Sequence, residues 1–426
     1  MTVQQLDIND SNPELCALIS ERIAASPQQR ITFAEYMDLA LYHPQYGYYN
    51  GDRPNIGKQG DFITSPHWSA DFAEVLGEQF VEMWQILGKP HHFTIVEMGA
   101  GRGTFATHLL QYLQRQHPDL FKILEYIIVE ISPVQQAVQQ QNLAEFKIVK
   151  WCKWDEIANN SIVGCFFSNE LVDAFPVHQF IIEQGQLREI YVTANEEKNE
   201  QSGSKFIEVV GELSNPKIAE YFDLVGIDLS ASVYGDGYRS EVNLAALEWI
   251  KTVAEKLQRG YLLTIDYGHP AHRYYNPRRT EGTLQCYYRH RYHSNPYINV
   301  GWQDLTAHAD FTALEKQGEL CGLEMMGFTQ QAWFLMVLGV GDRIASLSAN
   351  DAQVLDLATF LRRREALYQL IDQMGLGGFG VLVQCKGLSE EEKGEKLYSA
   401  SVPARVLVQA RERGRSHYHK KCFLQN

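Results

Sequence analysis

Residues Thr94-Ile95-Val96-Glu97-Met98-Gly99-Ala100-Gly101-Arg102-Gly103-Thr104 form an apolar run that ends in a carboxylate and then carries glycine at every second position. A strand feeding such a turn and then a helix lets a ligand lie against bare backbone, where any Cβ would collide. The spacing discriminates between ligands. A dinucleotide pyrophosphate loop runs G-x-G-x-x-G, its third glycine packing helix against strand, and here that position is Thr104. The glycines run G-x-G-x-G instead, with Glu97 two residues ahead of the first. That carboxylate repels a pyrophosphate and attracts the sulfonium and amino groups of S-adenosylmethionine (SAM). Glu97, Gly99, Gly101 and Gly103 are therefore read as cofactor-binding residues.

The chain beyond the loop repeats the unit. His108 to Gln116 continues as a helix with Leu109, Leu110 and Leu113 on one face. Tyr126-Ile127-Ile128-Val129-Glu130 is a second apolar run ending in an acid, placing Glu130 where a doubly wound fold grips ribose hydroxyls. Ser132-Pro133 caps the next helix. Asp155, after Trp154, falls where such folds carry an adenine-contacting acid. The fold class is thus α/β, Rossmann-like.

Further strands are expected at Phe146–Val149, Gly164–Ser168, Gly260–Asp266, Gly327–Gly339 and Gly378–Cys385. An insertion at about 177–240 reads as a hairpin around Gly185 with an added strand at Phe206–Val210, and Arg239–Gln258 reads as a helix. A second insertion, 269–311, is rich in Tyr, Arg and His. Ahead of the glycine loop, Thr32 and Glu35 stand at capping-box spacing and open a helix. The turn-rich stretch that follows, to Gly60-Asp61-Phe62-Ile63-Thr64-Ser65-Pro66, is read as a lid, with Thr64 and Ser65 facing the cofactor. The expected organisation is 1–93 helical and lid region, 94–386 methyltransferase domain with its two insertions, and 387–426 tail.

Composition limits the partners. A formal net charge of −14 over 426 residues argues against a general nucleic-acid binder, whose footprint is basic. Cysteines are scattered without C-x-x-C spacing, so neither zinc nor a disulfide framework is indicated, and no metal is expected. Met1 to Arg30 lacks a signal pattern, and its acids Asp7, Asp10 and Glu14 fit a transit peptide poorly. The longest apolar run, Ala332–Val340, is short of a membrane span. These features place the chain in the cytoplasm, with no membrane insertion.

Ligands in an open α/β sheet bind beyond the carboxyl ends of the strands. The fourth strand delivers Ser168-Asn169-Glu170-Leu171-Val172-Asp173-Ala174-Phe175-Pro176 to that edge. Glu170 and Asp173, three apart, project from one side of a turn and can grip a cation; Asn169 fits a cap as well as an acceptor ligand. A guanidinium stays protonated at any ordinary pH, so methylating it requires carboxylates that orient it and take its proton as the new bond forms. Asn169, Glu170 and Asp173 are the candidate catalytic residues. Asp266-Tyr267-Gly268 fits a rim site and a capped turn equally.

With these residues in place, the chain resembles the MidA family of SAM-dependent methyltransferases. The shared segments are Tyr46–Tyr49, Gly60–Pro66, Glu97–Gly103, Ser168–Pro176, Ile265–Gly268 and Gly282–Arg291, over roughly Ile31 to Lys386. The resemblance implies a seven-strand class I fold with a helical and loop insertion near the acceptor, SAM as cofactor, and arginine methylation of a protein partner, a respiratory complex I-type subunit in the mitochondrial members. Two alternatives stand beside it. Arg273, Arg278, Arg279, Arg289 and Arg291 interleaved with Tyr274, Tyr275, Tyr287, Tyr288 and Tyr292 resemble a nucleic-acid platform, which would serve an RNA or DNA methyltransferase. The third reading is a SAM-fold assembly chaperone without turnover.

Overall fold

Parallel strands buried on both faces need apolar side chains at consecutive positions rather than alternate ones. The chain supplies them in the runs already noted, and in the computed structural model these form the central sheet. The structure describes residues 11–50, 70–195, 204–230, 233–289, 291–349 and 357–394. Thr64 and Ser65, with the rest of the expected lid segment, lie outside the described residues, as does the tail from 395 onward.

Seven strands make the sheet: β1 (Phe93–Met98), β2 (Leu124–Val129), β3 (Val149–Cys152), β4 (Ile162–Asn169), β5 (Leu257–Asp266), β6 (Glu324–Gln330) and β7 (Gly380–Lys386). Their spatial order is β3-β2-β1-β4-β5-β7-β6, and β7 alone runs antiparallel to its neighbours. The order reverses between β1 and β4, so the crevice of an open sheet opens beyond their carboxyl ends. One face packs on the helices Ala70–Ile86, Thr104–Gln116 and Leu357–Ile371. The other packs on Leu244–Lys256 and Phe311–Leu320.

Three expected elements differ. Phe146 turns off the sheet edge and packs edge-on to Phe121, so β3 starts only at Val149. The apolar stretch Gly327–Gly339 is strand only to Gln330; Gln331–Val337 is helix, placed against the Leu357–Ile371 helix. Arg239–Val242 is a strand despite its polarity, because the Glu241 carboxylate is buried on Thr283 and Tyr274; the helix begins at Leu244, capped by Asn243. The helix Pro13–Ala25 has no counterpart among the expected elements.

The first insertion forms a second sheet, His178–Glu183, Gln186–Ala194, Phe206–Gly211 and Arg239–Val242, and Ile31–Thr32 from near the start of the described chain joins it through Val192 and Tyr191. A three-stranded sheet, Arg291–His293, Gln285–Tyr288 and Asp304–Thr306, carries the second insertion. Together they hold Tyr42, Tyr49 and Asp304 over the end of the central sheet. Among the described residues no helix is long and apolar enough to cross a membrane.

β1 and β4 approach through Gly164. Its φ is +153°, and a Cβ there would lie 1.9 Å from the Thr94 carbonyl oxygen, which belongs to the locked backbone of β1. Gly164→Ala should therefore cost more than about 4 kcal/mol, the range of severe strain or overpacking in a core, and a denaturant melt of the purified variant measures it. A loss under 1 kcal/mol would show that the strands can separate.

Candidate active site

The glycine turn is made by left-handed backbone at Gly99 (φ +70°) and Gly103 (φ +75°), and Gly103 is followed directly by the helix Thr104–Gln116. A Cβ on Gly99 would meet Leu171 Cδ1 at 2.8 Å, so the Leu171 side chain lies directly on the backbone of the turn. One buried amide holds the turn to the next acid. Gln139 Nε2 donates to the Gly101 carbonyl and to Glu130 Oε2, each at 2.8 Å, while its Oε1 accepts from Trp151 Nε1 at 3.0 Å. Glu130 Oε1 accepts from Ser132 N at 2.9 Å. Burial, the largest influence, raises the Glu130 carboxyl above its ordinary range, and these donors oppose it.

A cavity of about 350 Å³ opens here. Gly99, Gly101, Val129, Glu130, Ile131 and Trp154 line one half of it. The bare glycine backbone, an acid fixed in place and two apolar side chains fit the cofactor's amino acid, ribose and base respectively. Ile131 supports this fit, since it is 68% exposed although apolar. Asp155 is exposed, and of the Trp154-Asp155 pair it is Trp154 that reaches the wall. Glu97 and Gly103 stand behind the wall. The Glu97 carboxylate is buried under the loop, where Tyr126 donates to it at 2.8 Å, and desolvation pushes its pKa up to about 7.

The other half is organised by Asp266. Its Oδ2 accepts from the amides of Leu171, Val172 and Asp173 at 3.2, 2.9 and 3.3 Å, and its Oδ1 from Tyr267 N at 2.8 Å. Of the two readings of Asp266, the structure shows the capped turn. The cap fixes Glu170 in left-handed backbone (φ +51°), with its amide donating to the Ile265 carbonyl at 2.9 Å. Asn169 Nδ2 donates to Glu170 Oε1 at 2.9 Å. Tyr267 donates to Asp173 Oδ2 at 2.5 Å. Asn169 Oδ1 and Asp173 Oδ1 are buried with no hydrogen-bond partner.

Facing them, Tyr42 and Tyr49 stack at 5.4 Å, Tyr42 donating to the Ala174 carbonyl at 2.8 Å and Tyr49 to Asp304 Oδ1 at 3.0 Å. Sequence reasoning did not name Tyr42 or Asp304 as site residues; Tyr49 falls in the turn-rich stretch read as a lid, and Tyr267 in the segment read as rim site or capped turn. Burial pushes Asp173 up to about 6, and burial with the neighbouring Asp173 and Glu170 drives Asp266 well above the usual carboxylate range. Part of the platform expected in the second insertion is structural: Tyr274 and Tyr275 are buried against Glu241, and Arg279 donates to the Arg273 and Tyr274 carbonyls, whereas Arg289, Arg291 and Tyr292 are exposed.

The buried Glu97 has a pH signature. Its folded pKa of about 7 lies above the ordinary value of 4.5, so the folded chain holds a proton that the unfolded chain releases between those limits. That contribution to stability is present below pH 4.5 and lost as pH rises through about 7. Glu97→Gln cannot ionise. Between pH 5 and 8 its stability should therefore rise relative to the parent by on the order of 2 kcal/mol, read from denaturant melts without cofactor; a difference that is flat with pH would refute the shift.

The match to known proteins agrees with this geometry. Residues 75–329 match a family described as "Putative S-adenosyl-L-methionine-dependent methyltransferase". The mouse (Mus musculus) protein arginine methyltransferase NDUFAF7, mitochondrial, is 30% identical over 74% of this chain and 72% of its own length. The Drosophila melanogaster homolog is 29% identical over 75% and 74%. A Burkholderia thailandensis crystal structure bound to S-adenosyl-homocysteine superposes with a TM-score of 0.77 at 30% identity, covering 91% of this chain and 96% of that one. The fly, mouse and human relatives are all named mitochondrial, which overturns the cytoplasmic placement drawn from the first thirty residues. On the family match over residues 75–329, the chain belongs to the SAM-dependent methyltransferases of this family.

Proposed function

We propose that this chain transfers the methyl group of SAM to a guanidinium nitrogen of arginine in a protein substrate. One observation carries the reading. Among the described residues lining the cavity, Asp38, Glu130, Glu170, Asp173 and Asp304 are acids, and none is Lys, Arg or His. Such a wall concentrates cations and repels phosphates. The relatives' name, protein arginine methyltransferase, supports the same acceptor, and the partner we propose is a respiratory complex I-type subunit.

The bound cofactor supplies an electrophilic methyl carbon on a sulfonium. The protein's part is position and proton transfer. Glu130 with the Gly99–Gly101 backbone holds the cofactor, and Trp154 and Ile131 flank its base. Glu170 and Asp173 are the carboxylates that take the guanidinium, with Asn169 Oδ1 as a further acceptor. Planar N–H donors spread over such oxygens fix which nitrogen faces the methyl group. Tyr267, donating to one oxygen of Asp173, leaves the other to receive the acceptor's proton.

Three outcomes follow. Glu170→Gln should leave SAM affinity near normal in calorimetry and cut turnover by at least ~100-fold; full activity removes Glu170 from the mechanism. Gly101→Val, placed where φ is +53°, should lose SAM binding while the circular dichroism spectrum stays native. Since Asp173 must be ionised to accept a proton, kcat/KM should decline as pH falls through about 6. The acceptor class is read by incubating a cell lysate with methyl-labelled SAM: label in protein arginine supports the reading, and label confined to RNA overturns it. No heat on titrating SAM into the folded chain would return the chaperone reading.

A further inference from the structure

The acids of the cavity wall are not equivalent. Glu130, Glu170, Asp173 and Asp304 each accept a hydrogen bond from a neighbour in the wall, from Gln139, Asn169, Tyr267 and Tyr49 respectively. Asp38 lines the same cavity and is exposed, and among the described residues it accepts no side-chain hydrogen bond and pairs with no cation. Glu35, one turn away on the same helix, Phe33–Tyr42, already holds Arg22 at 2.5 Å. Partial burial, the larger influence, and the charge of Glu35 raise the Asp38 carboxyl above its ordinary range, and a cation placed on it offsets both.

Position makes the helix a ruler. Tyr42 stands four residues beyond Asp38 on the same helix face, about 6 Å along the axis. Its hydroxyl donates to the Ala174 carbonyl, next to Asp173, which lines the cavity and whose buried Oδ1 has no hydrogen-bond partner. Asp38 is exposed where Tyr42 is half-buried, so it marks the outer end of the acceptor half. In an extended peptide, side chains two residues apart leave the same side about 6–7 Å from each other. A peptide whose arginine passes Tyr42 toward Asp173 and Glu170 therefore brings the side chain two positions away over Asp38.

We infer that Asp38 is a specificity-determining residue, which binds a second basic side chain of the substrate two positions from the methylated arginine. The inference rests on the arginine reading of the cavity. It narrows the substrate class to arginine in an extended, locally basic segment, Arg-x-Lys or Arg-x-Arg read in either direction. An acidic flank is repelled by the same carboxylate, and a neutral one leaves it unpaired. The pair is exposed to solvent, so it acts as a preference of several-fold that salt weakens.

The test uses the full chain with methyl-labelled SAM and two probes. One is a set of synthetic peptides carrying Arg-Gly-Lys or Lys-Gly-Arg, each beside counterparts with Gln or Glu in place of Lys; the other is a cell lysate whose labelled arginines are mapped. In at least one direction the Lys peptide should be preferred over its Gln counterpart by at least ~3-fold in kcat/KM, through KM, and the preference should shrink as ionic strength rises. In Asp38→Asn the ratio should fall to about one through a higher KM for the Lys peptide, with calorimetric SAM affinity retained as the check on folding. Asp38→Lys should reverse the preference in favour of the Glu peptide. Labelled arginines in the lysate should carry Lys or Arg two positions away. A parent chain indifferent to the flank, a preference that persists in Asp38→Asn, or lysate sites without the basic neighbour overturns the role of Asp38 alone. A chain that binds SAM and labels no arginine in either probe overturns the arginine reading together with it.

Discussion

Four backbone amides converge on one buried carboxylate, Asp266, and the acceptor side of the molecule depends on that convergence. Glu170 occupies left-handed backbone, a conformation that costs a non-glycine residue of order 1 kcal/mol or more. It persists because the three residues after it donate to Asp266 and its own amide donates to Ile265. Asp266 lies at the end of β5 and Glu170 just beyond β4, so the cap also joins two neighbouring strands where they stop. The Ala307 amide then donates to the Asp173 carbonyl at 2.9 Å, bringing the second insertion onto the same turn.

The cofactor side depends on a different kind of fastening. Gln139 is fully buried, and its amide reaches the glycine turn, the Glu130 acid and the Trp151 indole of β3 at once. A buried amide that satisfies three partners fixes distances between them more firmly than exposed ion pairs would. The two sides meet through Ser132, which caps its helix and donates to the Tyr49 carbonyl at 3.2 Å. Pocket shape is thus set by hydrogen bonds from neutral donors, which hold the wall carboxylates Glu130, Glu170, Asp173 and Asp304 in place.

The sequence made legible what local chemistry determines. Continuous apolar runs located the sheet because buried parallel strands have no polar face, and the glycine spacing located the turn because positive φ excludes other residues. The same logic fails where local and tertiary forces diverge. Gly327–Gly339 is apolar but for Thr329, Gln330 and Gln331, and hydrophobicity alone does not tell that the chain changes from strand to helix at those polar residues. Arg239–Val242 is polar and still a strand, because Thr283, Leu284 and Tyr274 satisfy Glu241 from another segment. Asp304 and Tyr49 sit 255 positions apart, and nothing in either neighbourhood announces the contact. Asp266 was ambiguous for the opposite reason: a rim ligand and a cap look alike until the donors are known.

That 255-residue separation bears on the order in which the site comes into being. The cofactor slot is drawn from Met98 to Trp154, a contiguous stretch whose contacts close early as the chain leaves the ribosome. The stacked tyrosines must wait for Asp304, and closing so long a loop is slow and entropically costly. A chain still being synthesised can therefore have its cofactor side shaped before any acceptor can be oriented. Cofactor binding and transfer competence are then separate events in the life of the polypeptide, the first able to steady the sheet while the second insertion is still folding onto it.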